Sequence, residues 1–300
     1  MNRGSDVVVF DNLSSGRLEN IVKWLDNSHF RFLKGDMLTP SEIRDAMDSC
    51  DVVFHLAANP DVRVGAVDTR VEYEQNILAT YNLLETMRKS NNCKGIVFTS
   101  SSTVYGEASV IPTPESYGPL KPISLYGASK LACESLISGY AYMFDFKSVT
   151  CRLANIVGAR SGHGVICDFI RKLKKNSKTL TVLGDGTQTK SYLYVDDCVE
   201  AMLTLAEKAQ GQVEIYNIGS EDMVDVIKIA KTAIEEMGLD DVEISCTGGV
   251  NEGRGWKGDV KDMLLDVSKL KDLGWKPKHS SLEAVRLTIR NMLRKWDSEH

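Results

Sequence analysis

A tyrosine and a lysine stand four residues apart in Leu125-Tyr126-Gly127-Ala128-Ser129-Lys130. On a helix this spacing puts both side chains on one face. An ammonium beside a phenol favours the phenolate, a helix N-terminus adds to the effect, and Ser124 is placed to cap one. Lowering a tyrosine from about 10 to near 7 takes roughly 4 kcal/mol of differential stabilisation. A lysine, a helix end and a bound cation together supply that, and the result is a general base for an alcohol or sugar hydroxyl. Taken alone, the motif is matched as well by a surface Tyr/Lys pair.

Its context changes the balance. Thr99-Ser100-Ser101-Ser102-Thr103-Val104-Tyr105-Gly106 follows an apolar strand, so hydroxyls there can hold a substrate oxygen near the base. Leu56-Ala57-Ala58 puts small residues after another strand, where a dinucleotide can pass close to the backbone. Val7-Val8-Val9-Phe10-Asp11 is a β-favouring run closed by an acid, the pattern of a second strand whose carboxylate grips an adenosine ribose.

The elements that must position these residues alternate along the chain. Phe30-Leu33, Asp51-Ala57, Gly95-Ser100, Ser148-Leu153 and Ile215-Ile218 read as strands. Pro40-Met47, Val71-Arg88 and Leu125-Phe144 carry apolar residues at helical spacing. Nearly continuous apolar strands suit a parallel sheet covered on both faces, so the expected fold is α/β, a doubly wound Rossmann-type sheet over residues 1–155. From 156 to 300 glycine-rich loops separate short elements, with helices near 196–208, 222–237 and 281–296, and this half reads as a smaller substrate-binding lobe. The crevice at the carboxyl ends of the strands is then the expected ligand site.

Composition narrows the class. The 300 residues have a formal charge of −5, 43% hydrophobic and 26% charged residues, as in a soluble enzyme. The charge argues against nucleic acid as partner, and no apolar run spans a bilayer. The seven cysteines form no CxxC pair and the five histidines are scattered, so reduced thiols in a cytoplasmic protein and no metal are expected.

In order along the chain, VVVFDNLSSG, GDM, HLAA, SSSTVYGE, YGASK, RLANIVGARSGHGV, SYLYVDD, YNIGS and RGWKGDV resemble the extended short-chain dehydrogenase/reductases, in particular the UDP-glucose 4-epimerases. The resemblance covers essentially the whole chain. It implies bound NAD, with Asp11 and Asn12 at the adenosine ribose, Asp36 and Met37 by the adenine, and Leu56, Ala57, Ala58 and Asn76 along the cofactor channel. It makes Ser101 the substrate-orienting hydroxyl, Tyr126 the base, and Lys130 both ribose anchor and phenol tuner. Asn155, Lys190, Arg254 and Asp259 are implied substrate contacts. In Arg254-Gly255-Trp256-Lys257 the sequence departs from better-known bacterial epimerases, which align an arginine with Trp256. The reaction implied is interconversion of UDP-glucose and UDP-galactose, or a related UDP-hexose, by transient oxidation at C4.

Two neighbouring reactions and one non-catalytic role compete with this. Dehydratase relatives follow the turn's threonine with Asp-Glu, and decarboxylases keep a Glu, whereas Ser102 and Thr103 stand here and cannot do that acid/base work. A non-catalytic family member is the remaining alternative. Family members place a strand, a Gly-x-x-Gly-x-x-Gly turn and a helix ahead of VVVFDN, and Met1-Asn2-Arg3-Gly4 resembles a helix end with its glycine C-cap. The resemblance therefore implies one strand-helix unit missing from these residues, its slot lying between the strand ending at Asp11 and Gly95-Ser100. The chain alone is then expected to be poorly soluble and to purify without NAD. Helices near 71–89 and 125–145 are apolar over more than one face, through Val71, Ile77, Leu78, Tyr81 and Leu84 and through Leu131, Leu136, Ile137, Tyr140 and Phe144. One face must cover the sheet and the rest is expected to form a homodimer, the alternative being that all of it is intrachain core.

Overall fold

Runs of Val, Ile and Phe become parallel strands, and the segments with helical periodicity become the helices that cover them. The structure is a computed structural model; it describes every residue except Asn2, Pro60 and His300, and no side chain beyond Trp296. Asn2, in the stretch read as a helix end, thus lies outside the described residues, while Gly4 has φ +79°. Two compact units divide the chain: Met1–Phe98, Ser129–Ser148 and Gly211–Val213 form one, and Thr99–Ala128, Val149–Gln210 and Glu214–His300 the other.

In the first unit, β1 (Val7–Asp11) and β2 (Phe30–Lys34) pair in parallel, with Asp11 opposite Lys34. Helix α1 (Pro40–Met47) has proline in its first turn and turns Ile43, Ala46 and Met47 into the core. Strand β3 (Val52–His55) is followed by helix α2, which runs as α-helix over Thr69–Glu72, as a π-helix over Tyr73–Leu78 and as α-helix again over Ala79–Met87. Asp68 caps it by accepting the Arg70 N–H. β3 pairs in parallel with β4 (Gly95–Ser101), Val52 opposite Gly95 and His55 opposite Phe98. Helix α3 (Leu125–Phe144) begins after Ser124, whose hydroxyl accepts the Gly127 N–H at 3.1 Å, and it packs Cys133, Ile137 and Ala141 with Leu84, Met87, Ile96 and Phe98. β5 (Lys147–Leu153) follows, the Lys147 N–H donating to Lys94 O.

In the second unit, β6 (Asn155–Val157) pairs in parallel with β9 (Tyr192–Tyr194). Helix α4 (Val165–Lys175) buries Ile166, Phe169, Ile170 and Leu173 and carries lysines in its last turn, where they oppose the helix dipole. β7 (Thr179–Val182) pairs in parallel with β12 (Glu243–Cys246). β8 (Thr189–Lys190) sits between β11 (Val224–Asp225), antiparallel, and β13 (Asp262–Met263), parallel. Helices α5 (Val195–Lys208), α6 (Val226–Glu236), α7 (Ser268–Lys271) and α8 (Ser281–Glu299) complete it, with β10 (Val213–Ile218) between α5 and β11.

One expectation is corrected by the strand order. The four-stranded sheet runs β10-β5-β4-β3, and β1-β2 is hydrogen-bonded as a separate pair. Among the described residues, Gly95–Ser101 therefore has neighbours on both sides and Val52–His55 ends the sheet, so the expected slot does not border Gly95-Ser100. Chain order misled here because strand order in a doubly wound sheet reverses at its switch point, so sequence neighbours need not flank the same slot. Val52 and Phe54 on this edge are 45% and 38% exposed.

Among the described residues no helix is long and apolar enough to cross a membrane, and no cluster of His, Cys, Asp or Glu is arranged to hold a metal.

Candidate active site

The carboxyl ends of β1 and β2 bring four of the expected cofactor residues together. Asp11 Oδ1 accepts the Leu13 N–H at 2.6 Å, and Asn12 Nδ2 donates to Asp36 Oδ2 at 3.2 Å. The Gly35 N–H donates to Asp11 O, and Met37 O accepts from Asn82 Nδ2 of α2 at 3.1 Å. Space here is reserved for bare backbone. A Cβ on Gly16 would lie 2.8 Å from Asp11 Oδ1, and one on Gly35 would lie 2.3 Å from the Phe10 ring. Acceptors on Asp11 and Asp36 beside the Asn12 amide, with glycine on either side, fit a ribose diol and an adenine; these residues would hold that half of a dinucleotide.

Behind β3 the expected channel residues are open to solvent: Leu56 is 58% exposed and Ala57 is exposed. Asn76 lies beneath, buried, donating to Ser129 Oγ at 2.8 Å and to Glu72 Oε2 at 2.7 Å. Lys130 is buried with its Nζ 4.8 Å from the Phe98 ring centroid. Burial pushes this ammonium down to about 8, against the pull of Cys133, Glu72 and Glu134. His55 stacks near the same ring at 5.4 Å and shares a 2.9 Å hydrogen bond with Thr80 Oγ1. Burial, with the Lys130 charge second, lowers it to about 3, so it is neutral.

In the second unit the hydroxyl turn and the start of α3 meet through one glycine. Ser101 caps the short helix Ser102–Tyr105: its Oγ accepts the Thr103 N–H at 3.2 Å and the Thr103 hydroxyl at 3.0 Å, which leaves its own proton for another acceptor. Gly127 is where α3 touches this turn, since a Cβ there would lie 2.7 Å from Thr103 O. Tyr126, half-buried, precedes that contact, and Lys130 follows it one helical turn on.

The loop 254–259 joins the same place. A Cβ on Gly258 would lie 3.1 Å from Ile123 O, just ahead of α3. Lys190 Nζ pairs with Asp259 Oδ1, and the Gly255 N–H donates to Asp259 Oδ2. The Arg254 guanidinium donates to Asp259 O at 2.9 Å and pairs with Glu107. Asn155 Nδ2 donates to Ser191 O at 3.1 Å, next to Lys190 in sequence. So Ser101, Tyr126, Lys190, Arg254 and Asp259 share one unit, while Asp11, Asn12, Asp36, Met37, Leu56–Ala58, Asn76 and Lys130 share the other.

Sequence reasoning passed over Asn59, Glu72, Glu107 and Gly127 as individual contributors. Glu107 stood in view at the end of SSSTVYGE, but its partner Arg254 lies 147 residues away.

The chain belongs to the NAD dependent epimerase/dehydratase family, whose pattern matches residues 1–219. A crystal structure of a UDP-galactose 4-epimerase superposes with a TM-score of 0.85 at 42% identity, over 98% of this chain and 92% of that one. A putative UDP-glucose 4-epimerase of Methanocaldococcus jannaschii is 30% identical over 96% of this chain and 90% of its own length. UDP-glucuronic acid decarboxylase 6 of Arabidopsis thaliana is also 30% identical, over 95% of this chain and 81% of its own length.

Proposed function

We propose that the protein is a cytoplasmic, homodimeric UDP-hexose 4-epimerase, interconverting UDP-glucose and UDP-galactose or a close relative of them. The observation that carries this reading is the close approach of Gly127 to Thr103 O of the Ser101–Tyr105 turn, with Tyr126 next to that glycine in sequence and Lys130 one turn further along the same helix. Bound NAD would supply reversible oxidation at the sugar C4. Tyr126 takes the proton from the 4-hydroxyl and later returns it. Lys130 stabilises the phenolate and anchors the nicotinamide ribose. Ser101 donates its hydroxyl proton to the sugar oxygen as that becomes a carbonyl. Lys190, with Arg254 beside it, meets the diphosphate, and Asn155 and Asp259 meet the rest of the substrate.

The decarboxylase and dehydratase readings need a carboxyl acid within the hydroxyl turn, directly after the position of Ser101. Ser102 and Thr103 occupy those positions, and Glu107 beyond them is paired with Arg254. Incubating the purified protein with NAD and, separately, UDP-galactose, UDP-glucuronic acid and dTDP-glucose, and resolving the products by NMR, tests the choice. UDP-glucose from UDP-galactose is expected. Carbon dioxide release or a 4-keto-6-deoxy product would replace this reading with its rival.

A further inference from the structure

Glu72 is 2% exposed, and no step above uses it. Its two oxygens are divided between two asparagines: Asn59 Nδ2 donates to Oε1 at 3.0 Å and Asn76 Nδ2 to Oε2 at 2.7 Å. The second hydrogen of Asn76 Nδ2 goes to Ser129 Oγ, and Asn76 Oδ1 accepts the Asn59 N–H at 3.2 Å. An ionised carboxylate only accepts, so both amide NH₂ groups must face it. A neutral amide at position 72 would set NH₂ against NH₂ on one side and turn an asparagine out of this arrangement. Asn59 directly follows Ala58, so its orientation bears on the Leu56–Ala58 stretch. Ser129 directly precedes Lys130, which is buried as well.

We propose that Glu72 is a positioning residue: as a carboxylate it fixes the amides of Asn59 and Asn76 behind the Leu56–Ala58 stretch, and it lends one of the charges that face Lys130. Its consequence for catalysis rests on the function proposed above; the arrangement itself does not. The groups facing Glu72 are Asn59, Asn76, Lys130 and Asp61. Those facing Lys130 are Cys133, Glu72, Glu134, His55 and the Phe98 ring. Burial raises the Glu72 carboxyl, while Asn59, Lys130 and Asn76 hold it down. Burial and Glu72 act in opposite directions on Lys130.

The test reads both groups directly. In the full chain labelled with ¹³C at the glutamate carboxyls and lysine Cε, resonances of Glu72 and Lys130 are assigned with Glu72→Asp and Lys130→Met and followed against pH. Glu72 should be ionised at pH 7. In Glu72→Gln the Lys130 midpoint should fall by roughly half to one pH unit, the effect of losing one nearby charge, and in Glu72→Asp it should stay near the wild-type value. A Glu72 carboxyl still protonated at pH 7, or a Lys130 midpoint unmoved in Glu72→Gln, overturns the proposal. If Glu72→Gln does not fold, the wild-type carboxyl titration still decides. Both titrations as expected, in a protein that does not epimerise UDP-sugars, would leave Glu72 in this role and remove the proposed reaction.

Discussion

Lys190 Nζ lies 2.5 Å from Asp259 Oδ1, tying a two-residue strand to a loop 69 residues further on. Only 21% and 11% of the two side chains are exposed. The cation proposed for the diphosphate is therefore already matched by a carboxylate of the same site. Lys190→Ala should raise KM for the UDP-sugar about tenfold and leave kcat within about twofold, because the diphosphate carries equal charge in ground and transition states. It should also lower the melting temperature, since Asp259 is left largely desolvated and unpaired, and adding Asp259→Asn should restore part of that loss. Steady-state kinetics showing a fall in kcat at unchanged KM would contradict the assignment of Lys190.

Tyr126→Phe removes one oxygen from a half-buried ring. Turnover should fall by about 10² to 10⁴, the range of a general base, with melting temperature and UDP-sugar affinity nearly unchanged. Ser101→Ala should cost less, since it removes one hydrogen-bond donor and frees two from Thr103. Wild-type turnover in Tyr126→Phe would exclude the mechanism.

His55 gives the fold an acid limit. Its folded value of about 3 lies below the ordinary 6.5, so between those pH values the unfolded chain binds the extra proton. Stability is full above 6.5 and is lost as pH falls toward 3, by about 1.4 kcal/mol per pH unit and at most roughly 4–5 kcal/mol. Glu85, held at about 2 by Arg88 and Tyr140, loses its contribution only below its ordinary value of 4.5. Urea titrations from pH 6.5 to 5 lie above the range where Glu85 contributes, and His55→Asn should flatten the slope there. An unchanged slope in that variant would show that His55 titrates normally.

Tyr142, Met143 and Phe144 on α3 are 65%, 76% and 42% exposed, and Tyr73 and Tyr81 on α2 are exposed too. Leu84 and Ile137 of the same helices are spent in the core of their own unit. If the outer faces meet those of a second copy, light scattering at micromolar concentration should give twice the chain mass, and Tyr81→Glu with Phe144→Glu should halve it. A monomeric wild-type mass would reject the dimer.

What the sequence made legible was local. Pro40–Met47 and Leu125–Phe144 were bounded correctly because proline at a first turn and Ser124 ahead of Leu125 are short-range signals. Strand Asp51-Ala57 shrank to Val52–His55, because Leu56 and Ala57 are β-compatible in type but leave the ladder. Helix 222–237 begins only at Val226, since Val224 and Asp225 pair with β8 and Asp225 caps the helix. Tyr126 and Lys130 could be picked out as a pair; the need for glycine at 127 could not, because its reason, Thr103 O, is a backbone atom of another segment. Partners such as Glu107 for Arg254 and Glu72 for Asn59 are set by the folded path alone.

The π turn at Tyr73–Leu78 acts as a phase shifter. One extra residue in a helix rotates everything beyond it by about 100° relative to an unbroken α-helix. The Ala79 N–H reaches back to Glu74 O, and across this wide turn Glu72 and Asn76 face the same buried partners while Leu83, Leu84 and Met87 still point into the core. Two incompatible azimuths, a polar one before the turn and an apolar one after it, are thereby carried on a single rod. A lineage that trimmed one residue from this segment would keep its hydrophobic stripe and swing its buried carboxylate out of line, so the length of this segment carries information that its residue types do not.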